Sequence, residues 1–314
     1  MFRGVKDALK REFFRFYMLG LRFGVHVIPA HYYSPVPDIR ELKRSRGVWA
    51  KKSELPGIEV NLDTQVDALR RICAPYSGEY VGNEVYNEGV RNLYGPGYGF
   101  IEAQALHAVI RFYKPRRIVE VGGGVSTYCM LAALERNRVE TGRVSRLVCI
   151  ESHPSKKLKA ARGIELVQEN VQSVPLKLFY DLGEGDLLFI DSSHTVKPGS
   201  DVNYLILEVL PRLRKGVVVH FHDIYFPYDY QRDLLKTFLY RVETSLLRAF
   251  LINNDKAGIL FSLSLLHYGR PGILKEVFPE YDPQPDIDGL LEDGCKPFQI
   301  FKNHFPSSTY IRIQ

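Results

Sequence analysis

From Arg117 to His222 the chain alternates short apolar runs with stretches that are mostly of helical period. The runs are Arg117 to Val121, Arg146 to Glu151, Glu165 to Gln168, Asp186 to Asp191 and Gly216 to His222, all with β-branched or aromatic neighbours. Near-continuous apolar runs of this length are what strands look like when both faces are covered, so the alternation predicts a doubly wound α/β sheet of parallel strands. A helix is expected from Glu102 to Tyr113, closed by Pro115, and another across Val202 to Leu213, ended by a basic turn and Gly216. A longer helix is expected from Gln231 to about Asn253. Ala257 to Leu266 and Ser308 to Ile313 are further strand candidates that return as a C-terminal antiparallel hairpin. Residues 1–91 show no strand-helix alternation and carry turn punctuation at Pro29, Pro35, Pro37, Pro56 and Gly57, so they read as a mainly helical N-terminal cap ahead of a domain over 92–314.

The composition changes this picture little. With 314 residues, 45% hydrophobic and 25% charged, the chain can bury a substantial core, which excludes disorder as its main state. The net charge of +6 suits an anionic partner without identifying one. The basic residues are not arranged as aromatic-interleaved stripes, so no specific nucleic acid is expected. Arg3, Lys6, Lys10, Arg11, Arg15 and Arg22 punctuate an opening stretch rich in Phe, and Arg22 interrupts its apolar run, so neither a signal peptide nor a membrane span of roughly 20 residues can be drawn. That helix either packs its Phe face on the body or lies peripherally on an anionic bilayer. Cys73, Cys129, Cys149 and Cys295 form no Cys-x-x-Cys pair and sit in largely apolar surroundings, which points to reduced thiols and a cytoplasmic compartment. The oligomeric state leaves no mark on the sequence.

After the first apolar run come Glu120, Val121, Gly122, Gly123, Gly124, Val125, Ser126 and Thr127, opening a helix. Glycines at a strand-to-helix turn let the backbone approach a bound nucleotide closely. The second run ends in Glu151, a carboxylate placed to accept both ribose hydroxyls. A dinucleotide fingerprint wants a small residue where Thr127 stands.

The stretch Glu120 to Thr127 instead resembles motif I of the class I S-adenosylmethionine-dependent methyltransferases, whose fold is a Rossmann-like sheet. The resemblance covers residues 92–314. It implies S-adenosyl-L-methionine as cofactor, held by Glu120, Gly122, Gly123, Gly124 and Ser126 at the loop, Glu151 at the ribose and Asn170 at the adenine. A narrower similarity, to a bacterial branch acting on small molecules or glycans, rests on Ile190-Asp191-Ser192-Ser193-His194, His220-Phe221-His222-Asp223-Ile224 and Pro306-Ser307-Ser308-Thr309-Tyr310. His31-Tyr32-Tyr33-Ser34-Pro35 and Gly57-Ile58-Glu59-Val60-Asn61 also resemble that branch. The resemblance implies transfer of a methyl group to a hydroxyl.

Ligands of open α/β sheets bind outside the carboxyl ends of the strands, where Asp191, His194, His222 and Asp223 fall. Polar groups there are costly unless paired, hydrated or metal-bound. Laid onto the sibling catechol-type O-methyltransferases, Asp191, His222 and Asp223 take metal-ligand positions and His194 that of the general base, with Asp191 and His222 assisting catalysis. A histidine in such a set shifts the preference from magnesium toward manganese, iron or zinc; the alternative is a metal-free acid-base cluster. His220 reads as a core histidine, and Tyr94, Tyr98 and Glu102 as either a lid or packing. Rival functions are a metal-dependent oxygenase, because one histidine and two carboxylates can form a facial ligand set, and a non-catalytic binding protein.

Overall fold

The computed structural model describes residues 2–92, 94–95, 97–283, 285–291 and 305–314. Cys295 and His304 lie outside them. Two compact units emerge, one ending at Ala50 and the other beginning at Lys51. The boundary expected at 91/92 is therefore corrected: residues 51–91 belong to the unit that holds the sheet. Helix Leu62–Cys73 explains why, since Val66, Leu69, Ile72 and Cys73 repeat at helical spacing and are buried in that unit's core. The first unit contains helix Phe2–Arg22 and two short helices, Ile39–Arg44 and Arg46–Trp49. Among the described residues no helix is long and apolar enough to cross a membrane.

The strands are β1 (Arg117–Val121), β2 (Arg146–Ile150), β3 (Glu165–Val167), β4 (Leu187–Ile190), β5 (Val218–Phe221), β6 (Ala257–Ser262), a small hairpin β7 (Asp286–Ile287) and β8 (Leu290–Leu291), and β9 (Thr309–Ile313). Seven form one sheet in the order β3-β2-β1-β4-β5-β9-β6. Neighbours among β1 to β5 run parallel, whereas β9 is antiparallel to both β5 and β6.

The side-chain period of two explains the apolar runs. Ile118, Leu147, Leu187 and Val218 point to one face, under helices Leu62–Cys73, Phe100–Tyr113 and Val125–Thr141. Val119, Val148, Leu188 and Val219 point to the other, where Leu205, Val209, Leu247 and Leu251 cover them.

Three expectations shift. The expected strand from Ala257 ends at Ser262, and Leu263–Gly269 is helical. The helix at Asp201–Arg212 passes through a wider, π-type stretch at Tyr204–Val209 and a tighter last turn at Leu210–Arg212. The long helix expected from Gln231 is regular only over Glu243–Leu251. Upstream of it, the Gln231 side chain donates to Leu239 O at 2.9 Å and accepts from the Arg241 N–H, so local side-chain bonds replace the helical ladder.

Candidate functional site

The turn after β1 lies against the end of β4. The Asp191 N–H donates to Val121 O at 2.9 Å, and a Cβ on Gly122, whose φ is +84°, would stand 2.0 Å from Asp191 O. Only glycine lets the two strand ends approach this closely. Beneath the turn Glu120 is fully buried, accepting from Ser126 Oγ and Thr127 Oγ1, each at 2.7 Å. Burial pushes its carboxyl up to about 7 against the pull of those hydroxyls. Thr127 Oγ1 also accepts the Gly124 N–H at 3.1 Å. Glu120 and Ser126 are thus spent on each other below the loop. Their place is corrected from cofactor contact to support of the glycine turn. Gly123 packs tightly too, since a Cβ there would meet Cys149 Sγ at 2.5 Å.

Above the turn a cleft of about 400 Å³ runs along the carboxyl ends of the strands, with Gly122, Glu151, Asn170, Asp191 and Asp201 in its wall. The volume is in the range of small-molecule sites. Glu151 Oε2 accepts the Gly123 N–H at 3.2 Å and Oε1 the His153 N–H at 2.7 Å. These bonds orient the carboxylate and leave acceptor capacity for a ribose diol, since two carboxylate oxygens offer about four lone-pair sites. Asn170, exposed at the mouth, makes no capping bond to the short helix after it. The glycine turn, the oriented acid and the amide across β1, β2 and β3 fit a nucleoside cofactor. Asp201, in the first turn of its helix, accepts the Ser193 N–H at 2.8 Å and shapes the loop after β4.

Past Asp191 the cleft meets a buried polar cluster. Asp191 Oδ1 lies 3.0 Å from His222 Nδ1 and 3.2 Å from His194 Nε2. The opposite nitrogens reach two further acids: His194 Nδ1 is 2.8 Å from Glu243 Oε2, and His222 Nε2 is 3.2 Å from Glu102 Oε2. Burial opposes charge on both rings, yet the bonds from Asp191 and Glu243 together with the field of Asp223 push His194 up to about 10. Asp191, Asp223 and Glu102 likewise carry His222 well above its ordinary value. The two histidines in turn hold Asp191 well below the usual carboxylate range, although burial works the other way. The residue expected as general base thus lies between two carboxylates, Asp191 at Nε2 and Glu243 at Nδ1, which favour a cation at this position.

Asp223 is a further revision. Its Oδ1 accepts from Tyr225 OH at 2.9 Å and Ser307 Oγ at 3.2 Å, and its Oδ2 is paired with Arg241. The donors that converge are those of Asp191, His194 and His222, all within 4.8 Å of one another. His220 is a core residue as expected, stacked on Phe189 with ring centroids 4.2 Å apart and bonded to Ser308 Oγ at 2.8 Å.

Glu102 and Glu243 escaped the sequence reading of this cluster. Glu102, read from the sequence as a lid or packing residue, lies in the otherwise apolar start of helix Phe100–Tyr113; its Oε1 accepts from Ser308 Oγ at 2.7 Å and the Ser307 N–H at 3.0 Å. Glu243 opens an amphipathic helix and carries no signal that separates it from a solvent-facing acid.

A doubly wound sheet with a glycine turn after its first strand, an acid after its second and a polar cluster at its carboxyl edge is the framework of a nucleotide-binding α/β fold. Residues 119–224 match the family described as a methyltransferase domain. An uncharacterised protein of Archaeoglobus fulgidus is 31% identical over 166 residues, which span 50% of this chain and 73% of that one. The chain belongs to this family and is an S-adenosylmethionine-dependent methyltransferase. Among solved structures it is similar to a Plasmodium falciparum protein assigned as a protein-L-isoaspartate O-methyltransferase, in complex with S-adenosyl-L-homocysteine, at 13% identity and a TM-score of 0.27, covering 52% of this chain and 84% of that one. A Thermobifida fusca protein assigned as a methyltransferase is similar at 10% identity and a TM-score of 0.33, covering 85% of this chain and 96% of that one.

Proposed function

We propose that the chain transfers the methyl group of S-adenosyl-L-methionine to a hydroxyl of a small-molecule or glycan acceptor placed over Asp191. One observation carries this reading: Asp191 is both a wall of the cofactor cleft and the point on which His194 and His222 converge. The segments that build this junction, Ile190 to His194 and His220 to Ile224, are those that resemble the bacterial small-molecule and glycan branch.

The bound cofactor supplies an electrophilic methyl on a sulfonium. Glu151 anchors the ribose, Asn170 meets the adenine, and Gly122 leaves room for the cofactor beside the end of β4. Asp191, held anionic, accepts the acceptor's O–H and takes its proton as the new C–O bond forms and the sulfonium C–S bond breaks, which leaves S-adenosyl-L-homocysteine. The adjoining histidines stabilise the negative charge that develops on the oxygen. Alignment can supply much of the remaining barrier reduction. A hydroxyl needs this help more than a thiolate or neutral amine does, which favours an O-acceptor. The glycine turn and Glu151 favour methyl transfer over the oxygenase and non-catalytic alternatives.

The test is transfer of a labelled methyl group from S-adenosyl-L-methionine to a panel of hydroxylated acceptors, with the product then treated with base. A methyl ether keeps the label. Label released as methanol would mark a carboxyl ester, and failure of the protein to bind the cofactor would overturn the reading altogether.

A further inference from the structure

We infer that Asp191, His194 and His222 form a binding site for one divalent first-row transition-metal ion, of the manganese, iron, cobalt or zinc class, in preference to magnesium. Asp191 Oδ1 lies 3.2 Å from His194 Nε2 and 3.0 Å from His222 Nδ1, and donor atoms of the three residues fall within 4.8 Å of one another. The outer shell makes this more than a cluster of polar groups. A ligating imidazole usually donates its other N–H to a carboxylate or carbonyl, which fixes the ring and aims its lone pair inward. Both rings here have that partner: Glu243, 1% exposed, at 2.8 Å from His194 Nδ1, and Glu102, fully buried, at 3.2 Å from His222 Nε2.

The backing acids are themselves held. Glu102 Oε1 is occupied by Ser307 and Ser308, and Glu243 Oε1 accepts from Ser192 Oγ at 3.4 Å. Asp223 does not compete as a ligand, because Tyr225, Ser307 and Arg241 engage it.

The donor set decides the class of ion. Two imidazole nitrogens and one carboxylate oxygen suit borderline transition ions, whereas magnesium demands an octahedral shell of oxygens. Three protein donors leave coordination positions open. Asp191, with its side chain 22% exposed, also lines the cofactor cleft, so an ion held there would stand beside it. The ion would supply Lewis acidity toward the acceptor hydroxyl. That role rests on the proposed methyl transfer; the site itself does not.

The experiment uses the full chain stripped with a chelator and titrated with Co²⁺, followed by ligand-field absorption, and with Mn²⁺, followed by electron paramagnetic resonance. One ion should bind per chain and persist in a large excess of Mg²⁺, and pulsed resonance should report coordinated imidazole nitrogen. Asp191→Asn and His222→Gln should each weaken binding by at least about tenfold, and Glu243→Gln by about 10- to 100-fold, the usual cost of losing such a backing group. Displacement of Mn²⁺ by equal Mg²⁺, absence of the nitrogen signal, or unchanged affinity in folded Asp191→Asn and His222→Gln variants would each overturn the assignment. Should the variants fail to fold, the nitrogen signal of the unsubstituted protein decides. Binding of S-adenosyl-L-homocysteine to the stripped chain is measured alongside. If it persists while no metal binds, the metal site falls and the methyltransferase reading stands.

Discussion

Gly122→Ala puts a methyl group where the turn after β1 meets the end of β4. The residue sits at φ +84°, and a side chain in that left-handed region costs roughly 1–2 kcal/mol. The new Cβ would also lie 2.0 Å from Asp191 O and 3.0 Å from Asp191 C, against backbone rather than a flexible side chain. Relieving that overlap means pushing β4's end away from β1, an overpacking cost of typically about 1–3 kcal/mol. The total is about 2–5 kcal/mol. Gly142→Ala is the matched control: it caps helix Val125–Thr141 at φ +71°, and a Cβ there would find nothing within 4 Å, so it should lose only the roughly 1–2 kcal/mol of strain. The difference, about 1–3 kcal/mol, corresponds to a Tm gap of roughly 2–12 °C for a domain of this size. Thermal denaturation followed by circular dichroism reads that gap. Calorimetry with S-adenosyl-L-homocysteine should show weaker binding for Gly122→Ala alone, because Asp191 moves with the strand end. Equal Tm losses in the two variants would refute the close approach of Gly122 to Asp191.

Glu151→Ala should weaken S-adenosyl-L-homocysteine binding by about 1.5–3 kcal/mol, the scale of hydrogen bonds to a charged group, or roughly 10- to 150-fold in Kd; calorimetry in which the unsubstituted protein binds NAD and not this ligand would reject the site. His107, buried against Glu79 with Nε2 to Oε2 at 2.8 Å, has its pKa lowered from 6.5 chiefly by burial, which outweighs the pull of Glu79. The unfolded chain therefore binds the extra proton first as pH falls below about 6.5, and stability drops from there until the pH passes below the folded value. His107→Gln should flatten that decline, and parallel Tm-versus-pH curves for the two proteins would rule the mechanism out.

The sheet was legible because its physics is local. A strand covered on both faces must be apolar at nearly every position, and a glycine turn followed by a helix leaves its mark within eight residues. β1 and β9 appear almost where the apolar runs place them, and Glu151 and Asn170 line the cleft because the end of a parallel strand is a fixed place in the fold. The stretch after Gln231 was not legible, since one glutamine reaching across to Leu239 and Arg241 overrides helical propensity.

The boundary at residue 50 was hidden for a related reason: helix Leu62–Cys73 has the amphipathic pattern of any packed helix, and the pattern does not say which body covers it. By itself the sequence determined the parallel sheet, the glycine turn after β1 and the presence of His and Asp at two strand ends. Only the tertiary structure decided which of those groups meet. It committed Asp223 to Arg241 and Tyr225, turned Glu120 beneath the loop, and brought Glu102 and Glu243 against the far nitrogens of the two histidines. Tyr225 and the hydroxyls on Glu120 are close in the chain, but the other partners lie about 20 to 120 residues apart, and their pairing follows from the cost of burying charge unpaired, which no local pattern records.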